Sequence, residues 1–176
     1  ILNVAIELKK RNRTDIKLLF VGEGRCKDNL VRRVDSEKIN NCFFLPSMPK
    51  DELAILLRES IHVGLMVLKN IPEFYRGTSP NKFFDYLAAG LPIINNYPGW
   101  IADLIVENDV GIYVKPDNRM DFADALTYLA DNKINFRKKS LNARILAERK
   151  FSSLQLASKC TEVLEEAQLL RGRKKN

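Results

Sequence analysis

Histidine, cysteine and tryptophan are scarce in this 176-residue chain. His62 is the one histidine, and Cys26, Cys42 and Cys160 are scattered, odd in number and without a C-x-x-C pair. This argues against a His/Cys zinc cluster and against a disulfide framework, and the thiols read as reduced. No apolar run approaches the roughly 18 residues a membrane-spanning helix needs. The opening Ile1-Leu2-Asn3-Val4 carries neither the basic n-region nor the cleavage site of a secretory signal. Internal repeats and low-complexity linkers are also missing. What remains is an ordinary composition, 45% hydrophobic and 29% charged. The length suits one domain able to bury a core without disulfides or metals.

The net charge is +7, and the surplus gathers late: Arg137-Lys138-Lys139, Arg144, Arg149-Lys150 and Arg171-Gly172-Arg173-Lys174-Lys175. Such a run suits an anionic partner or a solvated helix face with a frayed terminus. No nucleic-acid motif accompanies it, so no nucleic-acid partner is expected.

Short apolar, β-branched runs alternate with longer amphipathic stretches. The pattern predicts a helix ending over 4–10, a strand over 16–21 and a helix over 28–38. A strand over 42–45 stops at Pro46, a helix runs from Lys50 through Glu59, and a strand covers 61–68. A loop over 69–79 leads to a helix over 81–89 that ends at Gly90. Strands over 92–95 and 111–114 follow, then helices over 121–130, about 137–149 and 153–170, with a basic tail over 171–176. Continuous apolar strands separated by helices predict a parallel sheet covered on both faces: a Rossmann-like α/β/α domain spanning 1–176. The chain opens on a helix rather than a strand and not on Met, so a first strand is expected to precede it.

In such sheets ligands bind beyond the carboxyl ends of the strands. Three strand-to-helix segments therefore carry the candidate residues. Gly22-Glu23-Gly24 follows a strand, where glycines let a backbone approach a ligand and the next helix start receives negative charge. The same glycines also serve turns that bind nothing. In Thr78-Ser79-Pro80-Asn81-Lys82, Thr78 or Ser79 is expected to cap a helix with Pro80 in its first turn. The N–H groups behind that cap, with Asn81 and Lys82, suit a diphosphate, and a plain capped helix is the alternative. Asp85, one turn further, has two acceptor oxygens for a ribose diol, or is simply an acid near a helix start. His62, at the far end of its strand, is expected to be structural. Tyr97 and Trp100 flank the ligand end or pack in the core or against another domain.

These residues carry a resemblance. Pro80-Asn81-Lys82-Phe83-Phe84-Asp85-Tyr86-Leu87-Ala88-Ala89-Gly90-Leu91-Pro92-Ile93-Ile94 resembles the donor-site helix of retaining glycosyltransferases of the glycosyltransferase 4 type, which have the GT-B fold. Leu19-Phe20-Val21-Gly22-Glu23-Gly24 resembles the family's strand and G-D/E-G loop. Phe43-Phe44-Leu45-Pro46 resembles the strand before its base-binding turn, and Val110 to Asp117 its G-x-L-V-x-P-x-D strand. Phe151-Ser152 and the helix after it resemble its closing element. One departure stands out: where the family's E-x7-E pair has its first acid, this chain has Gly77, which leaves the sugar open. The Thr78 to Tyr86 version is closest in look to bacterial O-antigen and capsule sugar transferases.

The resemblance implies the donor-binding, C-terminal half of a two-domain enzyme. It would move a sugar from a nucleoside diphosphate sugar, expected to be a UDP-sugar, to a glycan or lipid-linked acceptor in bacterial surface polysaccharide synthesis. Asp85 would meet the ribose, Thr78 to Lys82 the diphosphate, Gly22 to Gly24 the cleft wall, and Leu45 and Pro46 the base. No cofactor or metal is implied, and the catalytic groups are expected largely in an N-terminal domain of the same polypeptide. The expected location is cytoplasmic, with peripheral contact at the inner face of the plasma membrane through the basic tail held open against a partnerless tail. Two other readings stay open: a UDP-N-acetylglucosamine 2-epimerase-like domain, and a nucleotide-binding module without catalysis.

Overall fold

The computed structural model describes residues 1–75 and 77–173. Among the described residues, five strands, β1 (Leu18–Val21), β2 (Cys42–Leu45), β3 (Gly64–Met66), β4 (Ile93–Asn95) and β5 (Gly111–Tyr113), alternate with helices. The helices are α1 (Leu2–Lys10), α2 (Lys27–Ser36), α3 (Lys50–Ser60), α4 (Pro72–Tyr75), α5 (Asn81–Ala88), α6 (Trp100–Glu107), α7 (Arg119–Asp131), α8 (Lys133–Lys150) and α9 (Ser153–Arg173). Every strand pairing is parallel, as continuous apolar strands joined by helices require.

Two helical layers sandwich the strands. On one face, α1 through Leu2, Ala5 and Leu8, and α7 through Phe122, Ala123 and Leu126, pack on Leu18, Cys42 and Ile94. On the other, α5 through Phe83 and Leu87, α6 through Ile101 and Ile105, and α8 through Ala143 and Leu146 pack on Met66 and Ile93. The consecutive Ile93 and Ile94 thus serve opposite faces, the alternation a strand imposes. This is the expected α/β/α arrangement. The pairing adds something the periodicity does not contain: β1 pairs with β2 in one sheet, and β3, β4 and β5 form a second.

The sequence reading missed α6. Its residues are apolar on three sides, and Pro98-Gly99 ahead of it marks a turn rather than a helix start. Gly99 sits at φ 117°, where a side chain is strained, and a Cβ there would stand 3.0 Å from the Tyr75 carbonyl. α4 also falls within the stretch expected to be a loop.

α9 exposes its apolar side chains: Leu154, Leu156, Ala157, Val163, Leu164 and Ala167 are all exposed. The contact with the domain ends just before the helix, where Phe151 packs edge-on against Phe83 and Phe84 at 6.3 and 5.1 Å between ring centroids. Of the tail over 171–176, residues 174–176 lie outside the described residues. Among the described residues, no helix is long and apolar enough to cross a membrane.

Candidate functional site

The loops beyond the carboxyl ends of the strands bring the expected residues to one rim of the sheet. After β1, Gly22 turns the chain at φ 125°, a conformation that glycine alone adopts freely. Its N–H donates to the Leu45 carbonyl at 3.2 Å, which fixes this turn to the end of β2. A side chain at Gly22 or Gly24 would meet nothing within 4 Å, so both turns face open space. Glu23 is exposed and paired with Lys27 Nζ at 2.6 Å, one turn along the loop and α2. Phe20 stacks on Phe44 at 4.9 Å, so the two strands that carry the Gly22 turn and Leu45 are locked together through their side chains. Leu45 is half-buried and Pro46 exposed.

The start of α5 differs from its expectation. Pro80 occupies the N-cap position (φ −78°, ψ 133°), one residue earlier than its expected place inside the helix. No side chain caps this end. The Thr78 hydroxyl instead donates back to the Phe74 carbonyl, and Ser79 is exposed. The reason lies in proline geometry: its fixed φ already suits the residue before a helix, and its ring leaves no hydroxyl to turn inward. Phe83 N–H returns to the Pro80 carbonyl at 3.0 Å. Among the described residues, the N–H groups of Asn81 and Lys82 have no protein acceptor. The helix start is therefore more open to an anion than a capped one.

Asp85 sits one turn into α5, with 28% of its side chain exposed. Its carboxylate pairs at 3.4 Å with Lys50 Nζ, at the start of α3, whose own side chain is 79% exposed. Lys50 was not a predicted site residue. Nothing local marks it, because the pair is made only when the β2–α3 and β3–α5 loops meet. Lys82 is an exposed residue, yet partial desolvation lowers its ammonium pKa. Tyr86 covers Gly64 so closely that a Cβ there would collide with its ring. Desolvation first, and the neighbouring Asp85 charge second, raise the Tyr86 pKa.

A set of straps holds the loop ahead of α5. Asn96 donates to the Leu68 carbonyl at 3.0 Å and accepts from Leu68 N–H at 2.9 Å, extending the β3–β4 pairing by one side chain. Tyr75 stacks on Tyr97 at 6.2 Å and donates to Asn70, which donates to Asp117 at 2.8 Å. Trp100 Nε1 donates to the Thr78 carbonyl at 3.2 Å. Tyr97 is thus a buried core residue, and Trp100 a loop anchor. Sequence reasoning missed Asn70, Asn96 and Asp117, because each acts on a residue remote in the chain. His62 lies outside this rim, exposed ahead of β3 and tilted against Phe136 at 6.3 Å. Gly77 is exposed with room for a side chain, so crowding does not explain the absent acid. A separate groove along α6, lined by Pro98, Ala102, Asp103, Val106 and Tyr113, contains none of the predicted residues. Among the described residues, no group of three His, Cys, Asp or Glu side chains gathers as metal ligands.

The structure thus joins Gly22 to Leu45, and Asp85 to Lys50. No hydrogen bond or ion pair among the described residues links the Gly22–Gly24 turn to the start of α5.

Known proteins extend this geometry. Residues 1–145 match the family model described as glycosyl transferases group 1. No curated protein matches the chain. Among solved structures, sucrose-phosphate synthase from Thermosynechococcus elongatus is similar over 97% of this chain and 44% of its own, at 16% identity and a TM-score of 0.72. Anabaena HepE, solved in complex with UDP-glucose, is similar over 85% of this chain and 41% of its own, at 15% identity and a TM-score of 0.69. WaaG, a glycosyltransferase involved in lipopolysaccharide biosynthesis, is similar over 85% and 38%, at 15% identity and a TM-score of 0.65. The chain spans less than half the length of each. With the family model covering most of the chain and the rim built as described, the chain belongs to the group 1 glycosyltransferases and forms a Rossmann-like domain of their GT-B fold.

Proposed function

We propose that this domain holds the nucleoside diphosphate sugar for a transferase that passes the sugar to a glycan or lipid-linked acceptor. The observation that carries the reading is the uncapped start of α5 with Asp85 one turn behind it. Two N–H groups without protein acceptors, reinforced by the helix dipole and Lys82, suit the diphosphate. Asp85 suits the ribose diol, since a carboxylate accepts two hydrogen bonds at once. The Gly22–Gly24 turn leaves space for the cleft wall, and Leu45 and Pro46 border the base. The diphosphate is the leaving group, so positive potential here acts where charge develops during transfer. The bound UDP-glucose of HepE supports a uridine donor, and WaaG supports a surface polysaccharide acceptor. The transfer is proposed to need no metal, with the catalytic groups in another domain of the same polypeptide and the work done in the cytoplasm.

Calorimetry with UDP and with GDP tests the binding reading. UDP is expected to bind residues 1–176 weakly and to outcompete GDP, while donor hydrolysis by the same residues stays at background. Transfer by the full polypeptide is expected to persist in EDTA. Absence of any nucleoside diphosphate binding would remove the reading, and turnover by residues 1–176 would relocate the catalytic groups.

A further inference from the structure

The ion pair between Lys50 and Asp85 is not explained by what it gives the fold. Lys50 is the first residue of α3, where a cation opposes the helix dipole and an acid is favoured. The acids follow it, at Asp51 and Glu52. The Lys50 side chain is 79% exposed, and a pair so exposed contributes little stability. Neither its place on the helix nor its burial calls for a lysine.

The geometry of the pair is also loose. Lys50 Nζ stands 3.4 Å from Asp85 Oδ1, wider than the roughly 2.7–2.9 Å of a closed charge-assisted hydrogen bond. Asp85 Oδ2 has no protein partner among the described residues. An ammonium offers three donors and no acceptor, whereas a carboxylate accepts without donating. Side by side, the two present both halves of what a hydroxyl needs, since a hydroxyl gives one proton and accepts others. Other cations of the rim do not take this place. Lys27 is held by Glu23 at 2.6 Å, and Lys82, one turn ahead of Asp85 on α5, makes no ion pair with it among the described residues.

We propose, on the donor-binding reading given above, that Lys50 determines specificity for the ribose of the donor: its ammonium donates to one hydroxyl oxygen of the diol while Asp85 accepts that hydroxyl's proton. The diol's two protons go to the two oxygens of Asp85, and Lys50 serves a lone pair that a carboxylate cannot. A small swing of an exposed lysine stem opens the pair far enough to admit the hydroxyl. The hydroxyl held by both groups is then the one whose removal costs most. A sugar without it lets Lys50 and Asp85 face each other again, so the lysine adds nothing to its binding. Lys50 has a second effect: it offsets a carboxylate charge that would repel the diphosphate. That effect is the same for ribose and deoxyribose donors, which separates it from the reading of the hydroxyl.

Calorimetry of the full chain and of its Lys50→Met and Lys50→Arg variants, with UDP, 2′-deoxy-UDP and 3′-deoxy-UDP, tests it. In the parent, loss of the shared hydroxyl removes two charge-assisted bonds and is expected to weaken binding about 100-fold. In Lys50→Met the same loss removes one, and the penalty is expected to shrink to about 10-fold. Lys50→Arg keeps a donor and is expected to retain most of the discrimination. A Lys50→Met variant that weakens all three nucleotides by one common factor, or none of them, leaves Lys50 a counter-charge at most. Either result overturns the proposal while the donor site stands. A parent chain that binds none of the three overturns it together with the donor-binding reading.

Discussion

α7 follows β5 by a short link and α5 follows β3 by a longer loop that contains α4, and the first turns of the two helices are built in opposite ways. At α7, the Asn118 side chain accepts from Met120 and Asp121 N–H, both at 3.1 Å, and satisfies the helix start from within. At α5, Pro80 supplies no acceptor and the first N–H groups stay open. A capped start contributes stability and has nothing left to offer a ligand. An uncapped one forgoes about 1 kcal/mol of capping and keeps its donors for an anion. The two connections thus differ in what their first turns leave unpaired.

The largest effect is expected at the carboxylate behind the open start. Asp85→Ala should weaken nucleoside diphosphate binding about 100-fold by calorimetry, since charge-assisted bonds to a diol contribute about 1.5–3 kcal/mol each. Glu23→Ala should change it by less than about threefold, because Glu23 is already paired with Lys27. Equal losses at both positions would move the ribose away from Asp85.

Asn118→Ala should lower unfolding free energy by about 1 kcal/mol in urea, with nucleotide affinity unchanged. Any loss of affinity would show that the two helix starts are coupled rather than contrasting.

Pro80→Ser converts the open start into a capped one. The ligand-free domain should gain a few tenths of a kcal/mol, while nucleotide affinity falls several-fold as the serine competes for the same N–H groups. Tighter binding in this variant would mean that the N–H groups are not the phosphate donors.

The smallest effect lies far from the rim. Lys139, and after it Lys138, hold the Asp109 carboxyl below its usual range. A carboxylate depressed on folding contributes stability above its unfolded pKa and loses it as the pH falls through the folded value. Asp109 is partly exposed, so solvent screening limits this to about 0.5 kcal/mol. Asp109→Asn, which keeps a residue suited to the φ of 50° there, should cost that much at neutral pH. Urea titrations should find the difference gone well below about pH 4.

Legibility in the chain followed the range of the forces involved. β2 was read to the residue, Cys42 to Leu45, because an apolar run closed by Pro46 is a local signal. α3 was read within one residue for the same reason. The motif around Asp85 was also legible, since the acid, the helix and Gly90 lie on one continuous segment. The cap was misread because a hydroxyl beside a proline resembles a capping pair, and only the path of the loop turned Thr78 back to Phe74. α6 was missed because nothing polar marks its inner side.

By itself the sequence determined the class of the domain. Alternating apolar strands and amphipathic helices admit little except a parallel sheet covered on both faces, and the donor-site segment carries its spacing in the chain. Tertiary structure decided which groups meet: Asp85 with Lys50, Asn70 with Asp117, Asn96 with Leu68, and β1 apart from β3. Those pairings join segments distant along the chain, and no local pattern encodes them. They form only when burial of the two helical faces brings the loops to a common rim.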